Sequence, residues 1–141
     1  MRFVFVRHGR AEKTGKRPLT AEGREASAMA AAWLGEQGVS IRRVGSTDEL
    51  RACQTADIVA AALSVERAIR PGHVNTVALW DALVAELGED AVFVGHHPTQ
   101  GLLASKFGAP RLHKDVRNAV FVMERTDGPW QCIASWPGSD R

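Results

Sequence analysis

Cysteine is scarce in this chain of 141 residues, with Cys53 and Cys132 the two it has. Two cysteines make no disulfide framework, so both are expected to be small buried hydrophobes of a protein in a reducing, cytoplasmic setting. Long apolar runs are lacking too: none approaches the ~20 residues needed to span a bilayer. The opening Phe3-Val4-Phe5-Val6 is interrupted by His8 and Arg10, too soon for a secretory leader, whose apolar stretch runs roughly 7–15 residues. Net charge is small, at +2, which points to neither nucleic acid nor an anionic membrane. The basic clusters at residues 13–17 and at Arg42-Arg43 lack interleaved aromatics and read as solvated faces. No repeat, linker or low-complexity segment divides the chain, so one compact domain over residues 1–141 is expected. With 45% hydrophobic and 24% charged residues, it can bury an ordinary core without metals or disulfides.

Buried strands are predicted at Phe3-Val4-Phe5-Val6 and Ala91-Val92-Phe93-Val94, each a short apolar run closed by a glycine–histidine or histidine–glycine pair. Further strands are predicted over residues 39–45 and, at an edge, residues 65–69 before Pro71-Gly72. Residues 118–123 and 131–135 are expected to form a closing hairpin across Asp127-Gly128-Pro129. Thr20 is predicted to cap a helix whose apolar face is Ala26, Met29, Ala30, Trp33 and Leu34, with Gly35 or Gly38 ending it. Asp48 or Thr47 would cap a second helix carrying Leu50, Cys53, Ile58, Val59 and Ala62. Residues 76–87 have helical spacing, and 98–107 suits a helix with Pro98 in its first turn. Alternating strands and helices imply an α/β fold: three layers, α/β/α, around a largely parallel sheet with helices on both faces. Polar sites gather beyond the carboxyl ends of such strands, where Arg7-His8-Gly9 and Gly95-His96-His97-Pro98 would both lie.

Those residues suit phosphoryl transfer without a metal. Neutral imidazole at His8 can attack phosphorus and form a phosphohistidine. Gly9 would let the backbone approach the ligand closely. Arg7 offers a planar fork of donors for phosphate oxygens. Arg51 stands at the start of a helix, where exposed N–H groups also favour anions. His96, between a strand and a helix, could face the same point, with His97 beside it as a substrate contact. Neighbouring arginines would keep His8 neutral, and a backbone carbonyl on one ring nitrogen would leave the other free to attack. Taken singly, each has a bland alternative: a loop triplet, a helix-cap histidine, a surface arginine. His73, His97 and His113 have no partners at metal-ligand spacing, no Cys-x-x-Cys pair occurs, and no metal or other cofactor is expected. Walker, dinucleotide and Gly-x-Ser-x-Gly patterns are absent.

Together the motifs resemble the histidine phosphatase, or phosphoglycerate mutase-like, superfamily. The first strand with Arg7-His8-Gly9, the Pro18-Leu19-Thr20-Ala21-Glu22-Gly23 element, Arg51-Ala52-Cys53-Gln54-Thr55-Ala56 and Val94-Gly95-His96-His97-Pro98 occur in the family's order along nearly the whole chain. The resemblance implies a phosphate pocket of Arg7, His8, Arg51 and His96, with His8 as nucleophile. Short length and missing insertions are most similar to the SixA branch, which includes protein phosphohistidine phosphatases. Where the family usually has Ser-Pro, this chain has Thr47-Asp48; Asp48 would either cap the helix or bring negative charge near the phosphate. Larger relatives carry an acidic proton donor in the stretch corresponding to residues 70–81, where this chain offers only His73 and Asp81.

A missing acid has a chemical consequence. An alkoxide leaving group gains ~10²–10⁴-fold from a general acid, whereas the imidazole of a phosphohistidine needs one less. The expected substrate is therefore a phosphorylated protein bearing phosphohistidine. A small phosphorylated molecule or nucleotide, or phosphate binding without turnover, are the alternatives.

Overall fold

The computed structural model describes residues 1–139. Its chain order is β1 (Arg2–Arg7), α1 (Ala21–Glu36), β2 (Arg43–Ser46), α2 (Leu50–Leu63), β3 (Glu66–Ile69), α3 (Val77–Leu87), β4 (Ala91–Gly95), α4 (His97–Phe107), β5 (Val120–Glu124) and β6 (Gln131–Trp136). The strands form one sheet in the order β3-β2-β4-β1-β5-β6. β3, β2, β4 and β1 run parallel, while β5 and β6 are antiparallel additions on the far side of β1. This is an α/β fold with a mostly parallel central sheet, as expected.

Alternation along β1 divides the core. Phe3 and Phe5 point to one face, where Trp80, Leu83, Phe93, Leu103 and Phe121 pack under α3 and α4. Trp80 crosses Phe3 edge-on at 5.2 Å and Trp130 at 5.9 Å, arrangements that suit the aromatic quadrupoles. Val4 and Val6 point to the other face, which α1 and α2 cover with Ala30, Leu34, Ala52, Ala56 and Val59. Both faces of the sheet are thus buried under helices, giving the three layers.

Several boundaries differ from those the pattern predicts. β2 begins at Arg43, since the preceding segment is led in by a bond from Arg42 N–H to Asp90 O (2.8 Å). β5 begins at Val120 because Asn118 takes a left-handed φ of +61°. Thr20 does cap α1, its hydroxyl accepting from Gly23 N–H at 2.9 Å. The helix passes through Gly35 and ends with Gln37 as C-cap and the left-handed Gly38 (φ +69°) after it, the second of the two expected stops. On α1, Met29 is exposed and Ser27 is buried instead. On α2 the buried face is Ala52, Thr55, Ala56, Val59 and Ala60, not the one drawn through Leu50 and Ala62. The two helices meet through alanines, a face that counting large side chains overlooks. Neither Asp48 nor Thr47 caps α2: Glu49 is the N-cap residue, and its side chain makes no capping bond. The segment from Pro137 to Ser139 is tied back, with Arg117 and Ser139 exchanging backbone bonds of 2.7 and 2.8 Å; residues 140 and 141 lie outside the described part.

Candidate active site

The carboxyl ends of β2, β4 and β1 stand side by side in the sheet. Each continues into a loop carrying polar groups: Thr47 and Glu49 after β2, His96 after β4, His8 after β1. Because β5 is antiparallel to β1, its beginning and the loop 113–117 before it lie at this same end. The topology therefore gathers, at one edge of the core, residues from four separate stretches of the chain. The rings of His8 and His96 are 5.1 Å apart, and Arg51 from the first turn of α2 reaches His8 Nε2 with its Nε at 3.4 Å.

His8 is 6% exposed. Its Nδ1 lies 2.7 Å from Gly9 O. A carbonyl can only accept, so Nδ1 bears the proton and the Nε2 lone pair points into the site. Burial pushes the pKa of His8 from 6.5 to about 3, with the charges of His96, Arg51 and Arg7 pushing the same way and the Gly9 bond opposing. His8 is thus neutral across the physiological range, and its free nitrogen is the one expected of a nucleophile. The loop is braced from several sides. Gly9 N–H donates to Thr55 Oγ1 (2.9 Å), whose hydroxyl donates to Arg51 O (2.9 Å). His8 N–H donates to Gly95 O at 3.0 Å.

Arg7 is buried, at 5% exposed, and donates from Nη1 to the carbonyls of Lys114 (2.5 Å) and Val116 (2.6 Å), while its Nε has no partner. Burial, then the charge of Arg117, lower its pKa to about 10, so it stays cationic. His96 is 4% exposed and shares a 2.7 Å hydrogen bond with Thr47 Oγ1 through Nε2. Burial is again the main cause holding His96 near 4; the carboxylate of Glu49 opposes it, and His73, Arg51 and Arg7 add to it. As N-cap of α4 with no capping bond from its side chain, His96 turns its ring to the site.

Glu49 is the residue that sequence reasoning missed. Its carboxylate lies 2.6 Å from Arg51 Nη2, 3.3 Å from His96 Nε2 and 3.6 Å from His73 Nε2. Glu49 lies beside the expected cap residues Thr47 and Asp48 and far from residues 70–81, where an acid is expected; its place two positions before Arg51 is the signal the sequence offers. Asp48 itself is exposed, its neighbour taking the inward place. His73 does reach the site mouth: its ring lies 4.5 Å from that of His96, on a segment pinned by buried Val74, whose carbonyl accepts from Thr99 Oγ1 at 2.6 Å. Asp81 does not. It is an exposed residue of α3 that borders a depression with Met1, Arg125 and Trp130, because α3 runs away from the carboxyl ends of the strands. His97 is exposed and lines a neighbouring cleft with Gln100 and Leu112, not the space between His8 and Arg51. Close packing requires glycine at position 9: a Cβ there would lie 2.8 Å from Gly23 O and 2.9 Å from Ser27 Oγ.

Glu49, His73 and His96 present ligand atoms within 4.8 Å of one another, a grouping that linear spacing could not reveal since the three come from separate loops. Arg51 already supplies countercharge to the carboxylate, and Thr47 already bonds His96 Nε2. The cluster thus has protein countercharge, although Glu49 Oε2 is buried with no hydrogen-bond partner among the described residues. Among the described residues no helix is long and apolar enough to cross a membrane.

Comparison with known proteins places these features in context. Residues 3–73, half of the chain, match the histidine phosphatase superfamily (branch 1). An uncharacterized protein of Picosynechococcus sp. (strain ATCC 27264 / PCC 7002 / PR-6) is 31% identical, over 86% of this chain and 83% of that one. The solved structure of the protein histidine phosphatase SixA with tungstate is similar, with a TM-score of 0.77, 25% identity and 97% of each chain covered. A mycobacterial glucosyl-3-phosphoglycerate phosphatase in complex with VO3 shares the fold, with a TM-score of 0.70, 17% identity, and 98% of this chain and 99% of that one covered.

Proposed function

We propose, from the premise that the chain belongs to the histidine phosphatase superfamily and is a phosphatase, that it hydrolyses phosphohistidine on partner proteins in the cytoplasm, through a phosphoenzyme formed on His8. The observation that carries this reading is the ion pair of Glu49 with Arg51. The site does hold a carboxylate, but it is ion-paired with Arg51 at 2.6 Å and faces two histidines. While Arg51 holds that carboxylate, the substrate the site suits is one whose leaving group needs no proton donor.

In this mechanism Arg7 and Arg51 take the phosphoryl oxygens, Arg51 giving up its bond to His8 Nε2. The Nε2 lone pair attacks phosphorus as the P–N bond to the substrate's imidazole ring, protonated on its other nitrogen, breaks, so that neutral imidazole leaves. Positive charge growing on the His8 ring is met by Gly9 O at Nδ1. His96, oriented by Thr47, faces the transferred oxygens. Water then attacks the phosphoenzyme, inorganic phosphate leaves, and the Nε2 lone pair is restored. No metal takes part.

Glu49 and His73 at the site mouth favour a second reading, a phosphomonoesterase of small molecules in which one of them protonates an alkoxide. The deciding experiment follows phosphate release by wild type and His8→Ala from a phosphohistidine protein, an aryl phosphate, sugar phosphates and nucleotides, with and without chelator. Fast, chelator-insensitive, His8-dependent release from phosphohistidine is expected. Preferential release from sugar phosphates or nucleotides would instead establish the second reading. Binding of phosphate without release from any substrate would leave a module that has lost turnover.

A further inference from the structure

Four arginines away from the site have carboxylate partners: Arg2 with Glu124 at 3.3 Å, Arg43 with Glu66 at 3.7 Å, Arg67 with Asp57 at 2.8 Å and Arg70 with Glu86 at 3.0 Å. Arg24, Arg42, Arg111 and Arg125 form no ion pair among the described residues and are not gathered round one concavity. Beside the site, Arg10, Lys13, Arg17 and Arg117 surround a basin of about 440 Å³, and among the described residues none of the four forms an ion pair. Glu12 lies on the basin wall, but its backbone carbonyl, not its carboxylate, accepts from Arg17 Nε (3.2 Å). Asp115 partly offsets Arg117 yet pairs with His113 at 3.4 Å.

These cations repel one another. Arg117 is pushed down from its ordinary value by burial and then by Arg10, with Arg17 and Arg51 adding to it; Arg51 in turn feels Arg17. The basin therefore adjoins the phosphate pocket electrostatically, through Arg17 and Arg117. The arrangement is also built. Glu12 N–H bonds Pro18 O at 2.8 Å, Leu19 N–H bonds Gln54 Oε1 at 2.7 Å, and Thr20 N–H bonds Arg10 O at 2.9 Å. Gly23 has no Cβ where one would lie 2.2 Å from Arg10 O. A braced loop that holds several uncompensated cations around a concavity is destabilised by self-repulsion until an anion arrives. The opposite flank is mixed: Asp48 and Glu49 border the groove that Arg17 shares with Lys16 and Arg51. An anion beside the phosphoryl group meets no such carboxylate pair on the Arg10 side.

We propose that the basin bounded by Arg10, Lys13, Arg17 and Arg117 is a second anion subsite, which receives carboxylate side chains flanking the phosphohistidine of an acidic protein segment. This deepens the phosphohistidine reading and rests on it. The small net charge of the whole chain hid the site, because the acids that balance these bases sit elsewhere; the cluster at residues 13–17 is a binding wall, not merely a solvated face.

The test uses three phosphohistidine peptides of equal length whose flanking residues are glutamate, glutamine or lysine. Wild type should prefer the glutamate peptide over the glutamine one by about tenfold in kcat/KM at low salt, with the preference fading as salt is raised. The double charge reversal Lys13→Glu with Arg17→Glu should invert the order, favouring the lysine peptide, an outcome that misfolding cannot produce. Equal rates on all three peptides, or a glutamate preference that survives the reversal, would overturn the subsite while leaving phosphohistidine hydrolysis standing. Failure on every peptide, with His8-dependent release from other phosphates, would overturn the phosphohistidine reading and the subsite together. Selective hydrolysis of a small bisphosphate over all peptides would assign the basin to a second phosphate and overturn the protein-carboxylate assignment.

Discussion

Acid should unfold this protein through its own active-site histidines. Burial holds His8 near 3 and His96 near 4, against 6.5 for a free imidazole. Both pKa values are depressed on folding, so below 6.5 the unfolded chain binds protons that the native one refuses. Stability contributed by these sites is full above pH 6.5 and is lost as pH falls, down to the folded values. The slope reaches about 1.4 kcal/mol per pH unit for each histidine. Going from about pH 7 to about pH 5 costs roughly 2 kcal/mol per site and roughly 4 kcal/mol for both. Urea unfolding of wild type, His8→Asn and His96→Asn at the two pH values isolates the effect, since every other titrating group is shared. Each substitution should remove about 2 kcal/mol of the loss on acidification. If all three proteins lose the same stability on acidification, the neutral buried imidazoles inferred from the geometry are wrong.

Gly9→Ala should be costly twice over. Its Cβ would meet Gly23 O at 2.8 Å, an overpacking worth about 1–3 kcal/mol, and it would displace the carbonyl that orients His8, lowering kcat by about 100-fold. Thermal unfolding and steady-state rates check this, and a variant of wild-type stability and rate would contradict it. Glu49→Gln removes the carboxylate that competes for Arg51; inorganic phosphate should bind about fivefold tighter, whereas unchanged or weaker binding by calorimetry would show that the ion pair positions Arg51 instead. His96→Ala should lower kcat by about 10²–10³-fold, while His97→Ala, on the adjoining cleft, should leave turnover near that of wild type. The reverse order in a rate comparison would transfer the role to His97.

Much of this molecule was legible in its sequence for identifiable reasons. β1 and β4 are short apolar runs whose alternate residues supply both core faces, so their burial and the loops that end them could be read directly. Thr20 could be recognised as a cap because capping is local chemistry between a hydroxyl and an N–H three residues on. The α2 face was misread since its contacts are alanines, which carry little hydrophobic signal. Gln54 and Thr55 belong to a recognised motif, yet their work, tying Leu19 and Gly9 to the helix, depends on which loops cross it. Asp81 was a candidate by its position in the chain, and direction along α3 removed it. His73 and Glu49 converge on His96 from loops that no spacing rule relates.

The misplaced acid also changes the argument about substrate. From the sequence, phosphohistidine was favoured because a proton donor was missing; in the structure a carboxylate is present but bound to Arg51. The conclusion then rests on what Arg51 does when phosphate arrives. If Arg51 turns to the phosphoryl oxygens, Glu49 loses its strongest partner and keeps only His96 and His73. Freed from Arg51, the carboxylate could serve a leaving alkoxide as general acid, a service that a leaving imidazole would not need. The dependence on Glu49 therefore discriminates where the fold does not. Glu49→Gln should barely alter the rate on phosphohistidine, and should depress the rate on an alkyl phosphate by about 10²-fold if the carboxylate protonates that leaving group. Equal losses on both substrates would mean that Glu49 acts by positioning Arg51, and would remove proton donation from the choice between them.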